Sequence, residues 1–147
     1  MILRAYTKED LEYYLRADGL LISERDIERE TTYSITAVDD DGEPIASAGL
    51  DRVYTHCALA WARVNLDKVK KASNAKKLIR EIRNGIECYL RECPEVIRVY
   101  AEVSNIESHI KFAKLCGFFV EAVLGNLNYD GSDLVIMRYK DGNSCYR

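Results

Sequence analysis

The chain has no strong excess of charge of one sign and no long apolar run. Its 147 residues carry a formal net charge of −3, so binding of nucleic acid is not expected as its main role. No apolar stretch approaches the ~18 residues that a membrane-spanning helix needs, and residues 1–6 do not begin the apolar region of a secretory signal. We therefore expect no nucleic-acid or membrane partner, and a location in the cytoplasm.

The sequence also lacks the motifs of disulfide-rich and metal-binding proteins. Its five cysteines include no C-x-x-C pair, and its two histidines, His56 and His109, are not spaced for joint metal ligation. In a chain without an export signal, the cysteines are expected to be reduced thiols. We therefore expect no metal site.

What the sequence contains is typical of one globular domain covering residues 1–147. Apolar residues make up 48% and charged residues 31% of the chain, and no repeat or linker divides it. Apolar periodicity predicts strands at 2–6, 33–38, 45–50, 57–64, 96–103, 118–124 and 134–139. It predicts helices at 8–17, 24–30, 72–92 and 105–116. Asp10 is expected to pair with Thr7 at the first helix start, and residues 39–42 form a predicted hairpin turn.

The stretch that begins at Asn105 and ends at Phe118 carries the clearest signal. Asn105 can cap a helix start by accepting a backbone hydrogen bond, and Gly117 lies where helices end in a left-handed residue. Between them, apolar residues recur at helical spacing: Ile106, Ile110, Phe112 and Ala113. Phe118 and Phe119 should face opposite sides of the next strand, with Phe118 buried.

The order of these residues, N-x-x-S-x-x-x-F-x-x-x-x-G-F, resembles the second half of the Gcn5-related N-acetyltransferase (GNAT) superfamily. The predicted order of elements, β-α-α-β-β-β-α-β-α-β-β, is similar to that of the whole GNAT fold. The resemblance implies a single GNAT-like α/β (α+β) domain, with a mixed, mainly antiparallel sheet of six or seven strands and helices on both faces. It also implies that strands 57–64 and 96–103 are parallel neighbours that diverge at their C-terminal ends and form an acyl-CoA slot.

In GNAT proteins, the turn before the long helix holds the CoA pyrophosphate, and here it reads Lys70-Lys-Ala-Ser-Asn-Ala75. The resemblance implies acetyl-CoA as co-substrate, bound by Leu66, Lys70, Lys71, Ser73, Asn74, Ala75, Lys76, Asn105, Ser108 and Phe112. Ser73 replaces the first glycine of the family pattern, and its Cβ disfavours a left-handed backbone and hinders close phosphate approach. Five lysines crowd the turn, at positions 68, 70, 71, 76 and 77. They either attract a phosphorylated ligand or form a solvated basic face.

The catalytic groups are less clear. Many GNAT enzymes carry a tyrosine that protonates the departing CoA thiolate, and Ala113 occupies its position here. Cys116 is expected to be a core residue, with a position facing the slot as the alternative. Tyr129 is expected in an exposed turn, with a position reaching into the slot from the last hairpin as the alternative. Glu102, at the end of strand 96–103, is the candidate general base for an incoming amine, with a surface carboxylate as the alternative.

A narrower resemblance concerns the segments 76–87 and 104–118, with the core S-H-I-x-F-x-K-x-x-G. These are similar to the small GNAT-like proteins of short-tailed bacteriophages named internal virion protein A. Two functions therefore stay open. One is an acetyl-CoA-dependent N-acetyltransferase with a degenerate active site, whose acceptor is a small-molecule amine or a protein amine. The other is a non-catalytic virion or morphogenesis protein, associated with other phage structural proteins, that uses the fold as a scaffold.

Overall fold

The computed structural model describes residues 1–18, 33–70, 72–128 and 130–140, although not every side chain in these ranges. The strands are β1 (Ile2–Ala5), β2 (Tyr33–Val38), β3 (Pro44–Tyr54), β4 (Cys57–Val64), β5 (Arg98–Ser104), β6 (Phe118–Leu124) and β7 (Leu134–Tyr139). The helices are α1 (Lys8–Asp18), α2 (Leu66–Val69), α3 (Ala72–Glu92) and α4 (Glu107–Leu115). The predicted helix 24–30, Tyr129 and the last cysteine, Cys145, lie outside the described residues.

The described strands form one seven-stranded sheet in the order β1-β2-β3-β4-β5-β7-β6. The pairs β1–β2, β2–β3, β5–β7 and β6–β7 are antiparallel, whereas β4 and β5 are parallel. Parallel neighbours need a long crossover connection, and the 21-residue helix α3 lies in the segment between β4 and β5. The mixed, mainly antiparallel sheet predicted from the sequence is therefore confirmed.

The chain forms two compact units. Unit 1 comprises Met1–Asp51 and Ala62–Leu78, and unit 2 comprises Arg52–Trp61 and Ile79–Arg147. Buried apolar residues of unit 1 include Leu11, Tyr14, Ala37, Ile45, Ala46, Leu50 and Leu78. Buried apolar residues of unit 2 include Ala58, Ile86, Tyr89, Val96, Val99, Phe118, Val135, Met137 and Tyr139.

A buried carboxylate organises unit 1. Asp10 is only 1% exposed and accepts hydrogen bonds from both terminal nitrogens of Arg4, at 2.8 and 2.5 Å. It also accepts from the backbone N–H of Thr7 at 2.9 Å, which is the predicted capping-box contact. The hydroxyl of Thr36 donates to it at 2.8 Å. Burial alone would raise the pKa of Asp10, but these hydrogen bonds outweigh it and hold the pKa below its ordinary value.

The strand that follows Gly117 has the predicted phase in unit 2. Phe118 is 7% exposed and Phe119 is 40% exposed, so the two neighbours face opposite sides as expected. The ring of Phe118 makes an edge-to-face contact with Tyr139, with centroids 5.4 Å apart. Tyr139 in turn donates a 2.5 Å hydrogen bond to Glu87 on α3.

The start of α4 differs from the prediction. Its N-cap is Ile106, whose backbone is extended, and no side chain caps the helix, so the predicted cap by Asn105 is wrong. The backbone N–H of Ile106 donates to the carbonyl of Ser104 at 2.7 Å. This tight turn directly after β5 moves the helix start beyond Asn105, which is exposed. The apolar positions of α4 are also less covered than expected, because none of its residues is buried.

Gly117 confirms the predicted left-handed helix end, with φ of +100°, and supports a stability prediction. A Cβ at this position would lie 2.8 Å from Cε2 of Tyr139. Gly117→Ala should therefore lower the free energy of unfolding by about 2–4 kcal/mol, from backbone strain and overpacking together. Urea denaturation measures this change.

Two other glycines separate these causes. Gly131 also has positive φ but open space around it, so Gly131→Ala should cost only about 1–2 kcal/mol. Gly85 lies inside α3 with nothing within 4 Å, so Gly85→Ala should stabilise by up to about 1 kcal/mol. Equal effects at Gly117 and Gly131 would show that the contact with Tyr139 contributes nothing.

Candidate functional site

The parallel strands β4 and β5 pair over a short distance. The paired residues are Cys57 with Arg98, Ala58 with Val99, and Leu59 with Tyr100. Both strands continue beyond these pairs, β4 to Val64 and β5 to Ser104, while β5 continues its ladder with β7 through Ser104. The three β4–β5 pairs lie within unit 2, and the divergence of the strand ends stays a prediction.

Asn65 fixes the chain after β4. Its backbone N–H donates to the carbonyl of Ile45 at 2.8 Å, which ties this point to β3. Its side-chain oxygen accepts from the N–H of Lys68 at 3.4 Å, and its carbonyl accepts from the N–H of Val69 at 3.0 Å. Asn65 is therefore the N-terminal cap of α2. Leu66, a predicted cofactor contact, begins this helix, and its side chain lies outside the described set.

The predicted phosphate-binding turn leads into the first turns of α3. Ser73 and Lys76 are exposed, and Asn74 and Ala75 are half-buried. The first turn contains no acidic residue, so the positive end of the helix dipole is not neutralised from within the helix. Ser73 lies in α3 with helical and not left-handed backbone, in keeping with the preference that its Cβ imposes. Lys71 lies outside the described residues.

The lysines of this turn have different partners. Lys68 binds two carboxylates, at 2.6 Å from Asp39 and 2.5 Å from Glu43. Lys70 is 75% exposed and lies 3.5 Å from the 93% exposed Asp67, and a surface pair of this kind is worth little. Lys77 donates to the carbonyl of Met1 at 3.1 Å. The four described lysines are therefore not one basic face: Lys68 is neutralised, whereas Lys70 and Lys76 are exposed to solvent.

The pairing of Lys68 was missed by the sequence reasoning. Asp39 and Glu43 belong to the turn between β2 and β3, more than twenty residues before Lys68 in the chain. Nothing local links the acidic turn to this one lysine among five. Only the course of the chain after β4, fixed by Asn65, brings Lys68 to the hairpin.

The predicted residues of unit 2 follow β5 in order. Glu102 is exposed and lies opposite Ile136 in the β5–β7 ladder. Asn105 and Ser108 are exposed, and Phe112 is half-buried on α4. The structure does not decide the roles of these residues, so the assignments to base and cofactor contacts stay predictions.

The remaining side chains considered for acid or metal chemistry are one cysteine and the two histidines. Cys116 is 2% exposed, as expected for a core residue, and burial raises the pKa of its thiol to about 12. His56 and His109 are exposed. Among the described residues, no group of three or more His, Cys, Asp and Glu side chains is arranged to hold a metal ion.

The profile of the family described as Acetyltransferase (GNAT) domain matches residues 3–134, which is most of the chain. The chain belongs to the GNAT acetyltransferase family. Acetyltransferases of this fold use acetyl-CoA. No curated protein sequence matches the chain.

Solved structures of GNAT proteins share the fold. Ard1 from Thermoplasma volcanium has a TM-score of 0.68 at 17% identity, covering 95% of this chain and 98% of its own. A chimera of the spermidine N-acetyltransferase SpeG from Vibrio cholerae and hSSAT has a TM-score of 0.65 at 15% identity, covering 95% of both chains. A point mutant of the Vibrio cholerae SpeG gives 0.66 at 15% identity, covering 95% and 94%. At these identities the likeness concerns the fold.

No helix among the described residues is both long and apolar enough to span a membrane.

Proposed function

We propose that this GNAT protein transfers an acetyl group from acetyl-CoA to an amine. The observation that carries the proposal is the start of α3 in unit 1. A helix N-terminus presents free backbone N–H groups and positive dipole charge to an anion. Here it has no acidic residue in its first turn, and the exposed side chains of Lys70 and Lys76 flank it. These residues fit the pyrophosphate of a CoA molecule.

The acceptor class is part of the same proposal. Two of the solved relatives are described as spermidine N-acetyltransferases, so a polyamine is one acceptor to test, beside peptide N-termini and lysine side chains. Glu102, exposed on β5, is the proposed base that removes a proton from the amine, directly or through water. Bound acetyl-CoA would supply the thioester, and binding and orientation would supply most of the rate.

Turnover tests the proposed reaction directly. The purified protein is incubated with acetyl-CoA and each amine class, and the release of CoA thiol is followed against a reaction without protein. Amine-dependent thiol release, with an acetylated product seen by mass spectrometry, is the expected result. Absence of release with every acceptor class would count against the proposal.

The basic turn gives a prediction for binding. Changing Lys70 and Lys71 together to glutamate should weaken acetyl-CoA binding, and the loss should be smaller at high salt, because exposed charges are screened. Isothermal titration calorimetry at two ionic strengths measures both effects. A matched control changes the exposed Lys8 and Lys140 to glutamate, which alters the net charge equally. Affinity that is the same in both double variants would show that the turn does not bind the phosphates.

One observation favours a second candidate function. Ala113 stands where many GNAT enzymes have a tyrosine, and alanine cannot protonate a leaving thiolate. A degenerate site is what we expect of a phage virion or morphogenesis protein that keeps the fold as a scaffold. Failure of both acetyl-CoA binding and turnover would favour that candidate over an enzyme.

A further inference from the structure

Lys68 holds the β2–β3 hairpin and the start of the predicted phosphate turn together within unit 1. Its ammonium group lies 2.6 Å from one oxygen of Asp39 and 2.5 Å from Glu43. The other oxygen of Asp39 accepts the backbone N–H groups of Asp41 and Glu43, at 3.0 and 2.9 Å. Asp39 therefore shapes the hairpin turn with one oxygen and holds Lys68 with the other.

The main chain of Lys68 belongs to the segment that leads into α3. Asn65 caps its helix through the N–H of Lys68, and the side-chain amide of Asn74 approaches the carbonyl of Lys68 at 3.5 Å. Asn74 lies in the first turns of α3. A line of contacts thus connects the hairpin to α2 and then to the N-terminus of α3.

The charge on Lys68 distinguishes it from the neighbouring lysines. Two carboxylates share its ammonium group, and its side chain is only 25% exposed. A cation that already has two charged hydrogen-bond partners gains little from a further anion, since it would have to give up one of them. Among the described residues, the ion-pair partner of Lys70 is the exposed Asp67, and Lys70 is 75% exposed.

We propose that Lys68, Asp39 and Glu43 form a clamp that fixes α2 and the start of α3 in the arrangement that binds acetyl-CoA. Lys68 is then a positioning residue and not a phosphate ligand. This inference rests on the proposed function of the turn as the phosphate-binding site. It goes beyond that function because it adds the β2–β3 hairpin, which makes no predicted contact with the cofactor.

Variants that remove either side of the clamp distinguish a positioning role of Lys68 from direct phosphate binding. We would compare Lys68→Met, the double variant Asp39→Asn/Glu43→Gln, and the triple variant, with Lys8→Met as an exposed lysine control. If the clamp positions the turn, Lys68→Met and Asp39→Asn/Glu43→Gln should raise the Kd for acetyl-CoA by a similar factor. We expect a factor on the order of 3- to 10-fold, for a charge-assisted pair at a partly exposed site. The triple variant should be no worse than either, because all three changes break one interaction.

A direct phosphate contact by Lys68 predicts a different pattern. Asp39→Asn/Glu43→Gln would then release the ammonium group, and binding would stay the same or become tighter while Lys68→Met weakens it. That pattern would overturn the clamp. Steady-state kinetics add a readout that general destabilisation would not give, because the clamp predicts a raised KM for acetyl-CoA with kcat within about two-fold.

The clamp can be tested even if the proposed function fails. If wild-type protein gives no heat with acetyl-CoA, the proposed function is rejected. Hydrogen exchange then still tests whether Lys68, Asp39 and Glu43 hold the segment that leads into α3. The N–H of Val69, bonded to Asn65 at 3.0 Å, should exchange faster in both clamp variants than in wild type and Lys8→Met. Unchanged exchange at Val69 would overturn the clamp.

Discussion

Replacing Ala113 with tyrosine should raise the rate of acetyl transfer by about 10²- to 10⁴-fold, the usual contribution of a positioned general acid. Ala113 stands in α4 where the GNAT resemblance places the tyrosine that protonates the CoA thiolate. Without a donor, the thiolate leaves unprotonated or takes a proton from water. It can do so because a thiol pKa of ~8.5 makes it a fair leaving group. We therefore expect slow activity in wild type and not its absence.

The surroundings of Ala113 favour this substitution. The residue is half-buried, and no residue of α4 is buried, so a larger ring does not enter the packed core and overpacking should be modest. The matched control is Ala113→Phe, which adds the same ring without the hydroxyl. The rate of thiol release at saturating acetyl-CoA separates the two variants. Equal rates for both, or a tyrosine variant that binds acetyl-CoA but is no faster than wild type, would contradict the assigned role.

Truncating Phe118 should cause the largest loss of stability, about 3–5 kcal/mol for a buried phenylalanine changed to alanine. Its ring is 7% exposed and contacts Tyr139 in β7, so the variant loses apolar burial and an aromatic pair. Urea denaturation should show a much lower midpoint. Phe119→Ala removes the same atoms from a 40% exposed position and should cost much less. Similar midpoints for the two variants would mean that the strand phase is wrong.

The parts of the fold that follow from local pattern were predictable from the sequence. The apolar spacing of the longest helix predicted 72–92, and the structure has α3 at Ala72–Glu92. The turn before β3 was also predictable from the sequence. Gly42 adopts φ of +80°, and the side chain of Asp39 accepts hydrogen bonds from backbone N–H groups of the turn. In each case the residues that determine the conformation are close neighbours in the chain.

The errors arose where a different interaction decided the geometry. Asn105 has the right chemistry for a cap, but the hydrogen bond from Ile106 to Ser104 makes Ile106 the N-cap residue. A single backbone contact of this kind has no signature in the residue types. The sequence therefore predicted that α4 exists but not where it begins.

The start of the long helix was predictable from the sequence, but the partners of the lysines around it were not. Residue order correctly placed these lysines around the start of α3. It treated Lys68 as equivalent to Lys70, whereas Asp39 and Glu43 neutralise Lys68. Such pairing depends on contacts between residues distant in sequence, which a single sequence does not reveal.

Calorimetric titration of the purified wild-type protein with acetyl-CoA tests the central claim most directly. The claim predicts saturable heat for one site per chain, with affinity that falls at high salt. Affinity should be weakened in the Lys70→Glu/Lys71→Glu variant and kept in the Lys8→Glu/Lys140→Glu control. Absence of saturable heat from a folded wild-type protein would contradict the account and favour a GNAT fold that serves as a scaffold.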